Sequence, residues 1–216
     1  MHALVFANGN LGDTACPHDV DLVLCADGGV RHANALGIRP DAVIGDLDSL
    51  PDREKEALEG RGVYLIRYPR AKDETDLELA LLYAAERGAQ RITVLGVRGG
   101  RLDHELGNLL LLAHPALCSI DVRLRDGVQE AMLVAGERTL NGQEGDLLSL
   151  LSIGGDVHGV TTEGLEYALH DETLRLGPAR GVSNVFINST VVVRVRSGLL
   201  LAVHTRQRDG QTSTAA

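Results

Sequence analysis

The feature that most constrains this chain is a change of rhythm near its midpoint. Up to about residue 120, short apolar runs alternate with stretches of helical pattern. The runs are 3–7, 22–26, 42–44, 63–66 and 92–95; the helical stretches are about 31–37, 52–61, 75–87 and 103–113. Short, wholly apolar runs fit strands covered on both faces. The third helix opens with Thr75 followed by Glu78, a capping-box pattern, and stops at Gly88, a helix breaker. This repeat predicts an α/β unit with a doubly wound, mostly parallel sheet and helices on both faces. Beyond about 120 the helical pattern does not return. Runs at 131–134, 147–150, 157–161, 191–193 and 199–201 are punctuated by turn pairs such as Asn141-Gly142, Gly154-Gly155 and Gly177-Pro178. That spacing predicts an all-β sandwich or barrel. The expected domains are 1–125 and 126–216, with the boundary inside 120–140 and a frayed tail from about 206.

At 216 residues the chain is long enough for a sizeable core. A net charge of −9 argues against a nucleic-acid or anionic-membrane surface, whose footprint is basic. No apolar stretch reaches membrane-spanning length, and no basic leader precedes the first run. The three cysteines, Cys16, Cys25 and Cys118, are odd in number and lack metal-ligand spacing. Free thiols and a reducing cytoplasm are the expectation.

The chemistry-bearing residues fall where strands end or helices begin. They form four segments: Ala26-Asp27-Gly28-Gly29, Gly45-Asp46-Leu47-Asp48-Ser49, Lys72-Asp73-Glu74-Thr75-Asp76 and Gly99-Gly100-Arg101-Leu102-Asp103-His104, the last followed by Gly107-Asn108. In an open α/β sheet such positions gather at one edge, the usual ligand crevice. Carboxylates collected there repel by ~4 kcal/mol per pair at ~4 Å and an effective dielectric of ~20. A hard divalent cation removes that repulsion, so magnesium holding a polyphosphate is the first reading. If the segment 45–49 is extended, Asp46 and Asp48 project to the same side and reach one metal; the alternative is a turn whose acids cap local backbone. Lys72, the helix start at Thr75 and Arg101 suit phosphate. Gly28, Gly29 and Asn8-Gly9-Asn10 suit backbone close to a nucleotide, or plain turns. His104 and Asn108 lie one helical turn apart on the same face. Zinc is disfavoured, since His104 has no partner histidine at ligand spacing. P-loop, dinucleotide-binding and nucleophile-elbow signatures are absent from the sequence.

The ordered set ADGG, GDLDS, KDETD and GGRLDH…GN, joined to a β-rich second half, resembles the thiamine pyrophosphokinase family. The resemblance continues through Gly164-Leu165-Glu166-Tyr167-Ala168-Leu169 and Gly181-Val182-Ser183-Asn184 and spans roughly 1–205. It implies an α/β nucleotide-binding catalytic domain and a thiamine-binding β-sandwich. It further implies a cytoplasmic homodimer whose thiamine pocket lies at the subunit interface, and magnesium-dependent transfer of a diphosphoryl group from ATP to thiamine, releasing AMP. By that resemblance Asp46, Asp48 and Asp76 hold the metal. Asn8, Asp27, Gly28, Gly29, Lys72, Asp73, Thr75, Arg101, Asp103, His104 and Asn108 serve nucleotide, phosphate and catalysis. Tyr167, Ser183 and Asn184 receive thiamine; some relatives carry Trp where this chain has Tyr167, and the smaller ring stacks less strongly. Either Asp73 or Asp103 accepts the alcohol proton.

Overall fold

The computed structural model describes residues 1–207; the remainder of the expected frayed tail lies outside the described residues. Two compact units follow one another along the chain, Met1–Gly127 and a second beginning at Val128.

The first unit holds strands β1 (His2–Phe6), β2 (Leu22–Ala26), β3 (Ala42–Gly45), β4 (Tyr64–Arg67), β5 (Arg91–Leu95) and β6 (Asp121–Asp126). Its helices are α1 (Val30–Ala35), α2 (Asp52–Gly60), α3 (Asp76–Glu86) and α4 (Leu102–Leu110). The strands pair in the order β4-β3-β2-β1-β5-β6, every pair parallel. Helix α3 packs on β1, β2 and β3, α1 on β1 and β2, and α2 on β4. The core here is built from Leu4, Phe6, Cys25, Val43, Leu58 and Leu95, all essentially inaccessible to solvent. Burial pushes the Cys25 thiol far above its ordinary value, so it packs as an inert apolar group.

Local chemistry accounts for the elements. The Thr75 hydroxyl accepts the Glu78 N–H at 3.1 Å, capping α3, which buries Leu77, Ala80, Leu81 and Ala84. The helix ends at Gly88, whose φ of 84° lets Gly88 and Ala89 amides close back on Ala85 and Ala84. The expected helix at 103–113 is shorter: α4 stops at Leu110 and two 3₁₀ turns follow, Leu111–Ala113 and Pro115–Leu117. Strand β6 was not legible as a sixth parallel strand, because its sequence Asp-Val-Arg-Leu-Arg-Asp alternates instead of running apolar.

Among the described residues of the second unit every regular element is a strand: β7 (Gln129–Val134), β8 (Glu137–Asn141), β9 (Leu147–Glu163), β10 (Glu172–Leu174), β11 (Asn184–Val185), β12 (Thr190–Arg194) and β13 (Ser197–Thr205). One correction concerns Gly154-Gly155, expected to be a turn between two strands. They lie inside β9, a single strand of 17 residues, with φ values of 78° and 154°. The first part of β9 pairs with β13, and its last part pairs with β12. The glycines thus redirect a continuous strand, as bulge and corner glycines do. Strand β13 joins β7, and β12 joins β8, all antiparallel. A core of Met132, Leu148, Leu150, Val157, Phe186, Val193 and Leu200 lies within. Residues 206 and 207, expected to fray, are ordered: the Arg206 amide donates to Val128, and the Gln207 amide to Asp146.

Candidate functional site

Strand order in the α/β unit reverses at β1. The chain steps outward through β2, β3 and β4, then returns to place β5 and β6 on the other side. Loops leaving β1 and β5 therefore part at this point, and ligands bind parallel sheets at such switch points. A crevice of about 280 Å³ occupies it, lined among others by Asn8, Gly9, Asp27, Thr75, Asp76, Gly99, Gly100, Arg101, His104 and Asn108. Asn8 and Gly9 follow β1, Asp27 follows β2, Asp76 opens α3 and the glycines follow β5.

Three of the acids converge. Carboxylate oxygens of Asp27, Asp46 and Asp76 all lie within 4.8 Å of one another. Asp27 is only 7% exposed and has a left-handed φ of 41°, an unfavourable backbone for a non-glycine residue. Oδ1 of Asp27 and Oδ1 of Asp76 are buried without a hydrogen-bond donor. Lys72 Nζ stands 2.9 Å from that Asp76 oxygen as an ion pair, but off hydrogen-bonding angle. Gly45 allows the convergence. A Cβ there would lie 3.0 Å from Asp27 Cβ and from Asp76 Cγ, filling the space between the acids. Asp46 is held below the ordinary carboxylate range, first by the backbone N–H of Asp48, which donates to Oδ1 at 3.1 Å, and further by the charge of Lys72. Hard oxygen donors, mutual repulsion and a buried Asp27 oxygen without a donor fit a divalent cation.

Asp48 departs from expectation. Leu47 has a φ of 60° and is buried, so the segment turns instead of extending, and side chains no longer alternate. Asp48 is left half exposed, 3.5 Å from Arg70 and in side-chain contact with Asp46, beside the group of three. Asp27, expected among the nucleotide residues, stands in the group instead.

Arg101 is engaged by Asp103 through two hydrogen bonds, 3.1 and 2.5 Å. The Arg101 guanidinium holds the Asp103 carboxyl below the usual range. Asp103 lines an adjoining hollow of about 290 Å³ with Thr75, Glu78, His104 and Asn108. Asp73 is exposed and lies outside both linings. Asn108 Nδ2 donates to Val97 O at 2.8 Å, tying α4 to the loop after β5. Glu105, which the sequence did not single out, accepts the Gly99 N–H at 2.7 Å. Gly28 and Gly29 have a packing reason: a Cβ on Gly29 would collide with the Phe6 carbonyl, and one on Gly28 would lie 2.6 Å from Asn8 Oδ1.

In the β unit, Tyr167, Ser183 and Asn184 are brought together. Asn184 is buried; its Oδ1 accepts the amides of Tyr167 and Val185, and its Nδ2 donates to the Tyr167 carbonyl. Its amide therefore holds the Tyr167 backbone, while the Tyr167 side chain stays 67% exposed. Ser183 is exposed with a left-handed φ of 59°, and its amide donates to Ser149 Oγ.

Comparison with known proteins agrees with both halves. Residues 16–124 match the family described as thiamin pyrophosphokinase, catalytic domain, and residues 137–200 match thiamin pyrophosphokinase, vitamin B1 binding domain. The chain is 33% identical over 169 residues to thiamine pyrophosphokinase of Bacillus subtilis, covering 77% of this chain and 79% of that protein. It is 29% identical to thiamine pyrophosphokinase 1 of Arabidopsis thaliana, covering 84% and 77%. The crystal structure of the Bacillus subtilis protein superposes with a TM-score of 0.86 at 25% identity, covering 96% of this chain and all of the other. The Enterococcus faecalis family protein gives 0.86 at 26%, with the same coverage. The fold and the matched domains define a transferase. Within that class the chain belongs to the thiamine pyrophosphokinase family.

Proposed function

We propose that this protein transfers the diphosphoryl group of ATP to the hydroxyl of thiamine, giving thiamine diphosphate and AMP, with magnesium. The observation that carries the reading is the convergence of Asp27, Asp46 and Asp76, two of whose oxygens are buried without a hydrogen-bond donor, at the switch-point crevice. When bound by these three acids, magnesium supplies charge neutralisation for the phosphates. Asp48 stands outside that set as Arg70's partner.

The remaining work falls to the chain's own groups. Such transfers depend on positioning and charge more than on covalent help. Lys72 offsets the acids through Asp76, and Arg101, once released from Asp103, faces the transferring group. The loops at Asn8-Gly9 and Gly99-Gly100 form the nucleotide wall, with Thr75, His104 and Asn108 beside it. Proton acceptance from the alcohol falls to Asp73 or Asp103; Arg101's grip makes Asp103 the weaker base in this arrangement. Tyr167 offers an aromatic face to the cationic thiamine, Asn184 positions it, and Ser183 lies beside it.

The right-handed crossover rule supports reading the first unit as doubly wound, because the chain steps both ways from β1. The strand β9, shared by two sets of partners, supports a sandwich for the second. A homodimer and a cytoplasmic setting complete the proposal; the latter suits three free cysteines, and no helix among the described residues is long and apolar enough to cross a membrane.

A mass-spectrometric time course with thiamine, ATP and magnesium tests the reading. Thiamine diphosphate and AMP are expected to rise together and to vanish with chelator. Thiamine monophosphate with ADP would overturn the diphosphoryl transfer, and no product would overturn the substrate pair.

A further inference from the structure

We propose that Arg31 and His32, on α1, are positioning residues that hold the loop after β1 in place as one wall of the nucleotide crevice. The inference rests on the nucleotide reading of that crevice. Strand β1 is central, and the loop leaving it has no helix to carry it to β2, so its carbonyls need other partners. A single nitrogen of Arg31, Nη2, donates to the carbonyls of both Asn8 and Gly9, at 2.8 and 2.9 Å. His32 Nε2 lies 2.7 Å from the Gly9 carbonyl. A carbonyl only accepts, so Nε2 carries the proton and donates.

The other side of the loop is tied through its backbone. The Gly9 amide donates to Gly96 O at 2.8 Å, and the Asn10 amide to Arg98 O at 2.5 Å. One side is held by backbone bonds to the loop after β5, while the other depends on Arg31 and His32. Loosening the second leaves the loop hinged on the first. The Asn8 side chain rests on Gly28, next to Asp27 of the acid group, so a shift of this loop reaches the crevice floor. Arg31 is exposed, and an exposed side chain of this kind contributes little to global stability. Misplacement of a positioning group by ~1 Å, in contrast, costs up to ~100-fold.

The test is calorimetric binding of α,β-methylene ATP with magnesium, alongside the Michaelis constants for ATP and thiamine. Arg31→Met and His32→Leu are each expected to weaken nucleotide binding roughly tenfold while the thiamine constant stays within about twofold. His32→Gln, whose amide N–H sits near the position of Nε2, is expected to bind as the wild type does. Unchanged binding in both Arg31→Met and His32→Leu would overturn the proposal. So would loss in Arg31→Met alone, which would mark simple charge attraction, or equal impairment toward both substrates, which would mark general misfolding. A wild-type protein that binds no nucleotide would overturn the reading of the crevice itself, and this inference with it.

Discussion

Because Leu47 takes a left-handed backbone and buries its side chain, the two aspartates flanking it do not project side by side from an extended strand. Asp46 lies with Asp27 and Asp76, while Asp48 touches Asp46 and pairs with Arg70. The acids thereby acquire different weights. Asp27→Asn and Asp46→Asn are each expected to lower turnover by at least ~100-fold, as removal of a key electrostatic group does, whereas Asp48→Asn is expected to lower it by less than ~10-fold. Steady-state rates at saturating magnesium check this; a collapse in Asp48→Asn equal to that of Asp27→Asn would return Asp48 to the metal site. Tyr167 divides its labour between ring and backbone. Its ring is exposed and its backbone is clamped by Asn184. Tyr167→Ala is therefore expected to raise the Michaelis constant for thiamine several-fold, in line with the loss of one cation–π contact of ~1–2 kcal/mol, and to leave that for ATP unchanged. A selective rise for ATP would refute the assignment.

At the scale of elements, the acid site depends on how β3 ends. Gly45 closes that strand with a φ of 154°, and a Cβ there would press on Asp27 and Asp76. Gly45→Ala is expected to raise the magnesium concentration needed for half-maximal activity by roughly tenfold, since a metal site tolerates little displacement of its ligands. Titration of activity with magnesium measures it, and an unchanged midpoint would show that the acids adjust freely. The same turn shows what the sequence did and did not reveal. Strands β1 to β5 and the four helices of the first unit were legible because apolar runs and the Thr75 cap are local signals. The gathering of the four acidic segments at one edge followed from parallel topology. The closer approach of Asp27 than of Asp48 to the Asp46–Asp76 pair was not legible, because it turns on one torsion at Leu47 that an apolar residue does not advertise. Nor were Arg31, His32 and Glu105, whose partners are backbone groups of distant loops. Strand β9 misled for a related reason: paired glycines signal a turn locally, and only its pairing with both β13 and β12 makes them a bend.

At the scale of the whole molecule, buried acid plays opposite roles in the two units. In the first, Asp27 and Asp76 present oxygens lacking hydrogen-bond donors, a cost that suits ligand binding. In the second, Asp146 is fully buried and fully engaged. Its carboxylate accepts His204 Nε2 at 2.7 Å, the Gln143 amide at 3.1 Å and the Gln207 amide at 2.9 Å, and the His204 ring stacks on Phe186 at 4.9 Å. Burial alone raises an acid's pKa, but here the amides of Gln207 and Gln143 and the His204 contact outweigh it and hold Asp146 below its ordinary value of 3.8. A carboxyl depressed on folding stabilises the native state above its unfolded pKa, and that stability is lost as pH falls through the folded one. Asp146→Asn sets an amide NH₂ against N–H donors and is expected to cost ~3 kcal/mol at neutral pH, as leaving buried donors of a charged acceptor unpaired does. Below the ordinary carboxylate value the wild type loses the same contribution, so the difference between the two proteins should close in acid. Denaturant unfolding of both, followed from pH 7 to strongly acidic conditions of about pH 2, measures that difference. A gap that stays constant over the whole range would mean that Asp146 acts through packing and not through its charge.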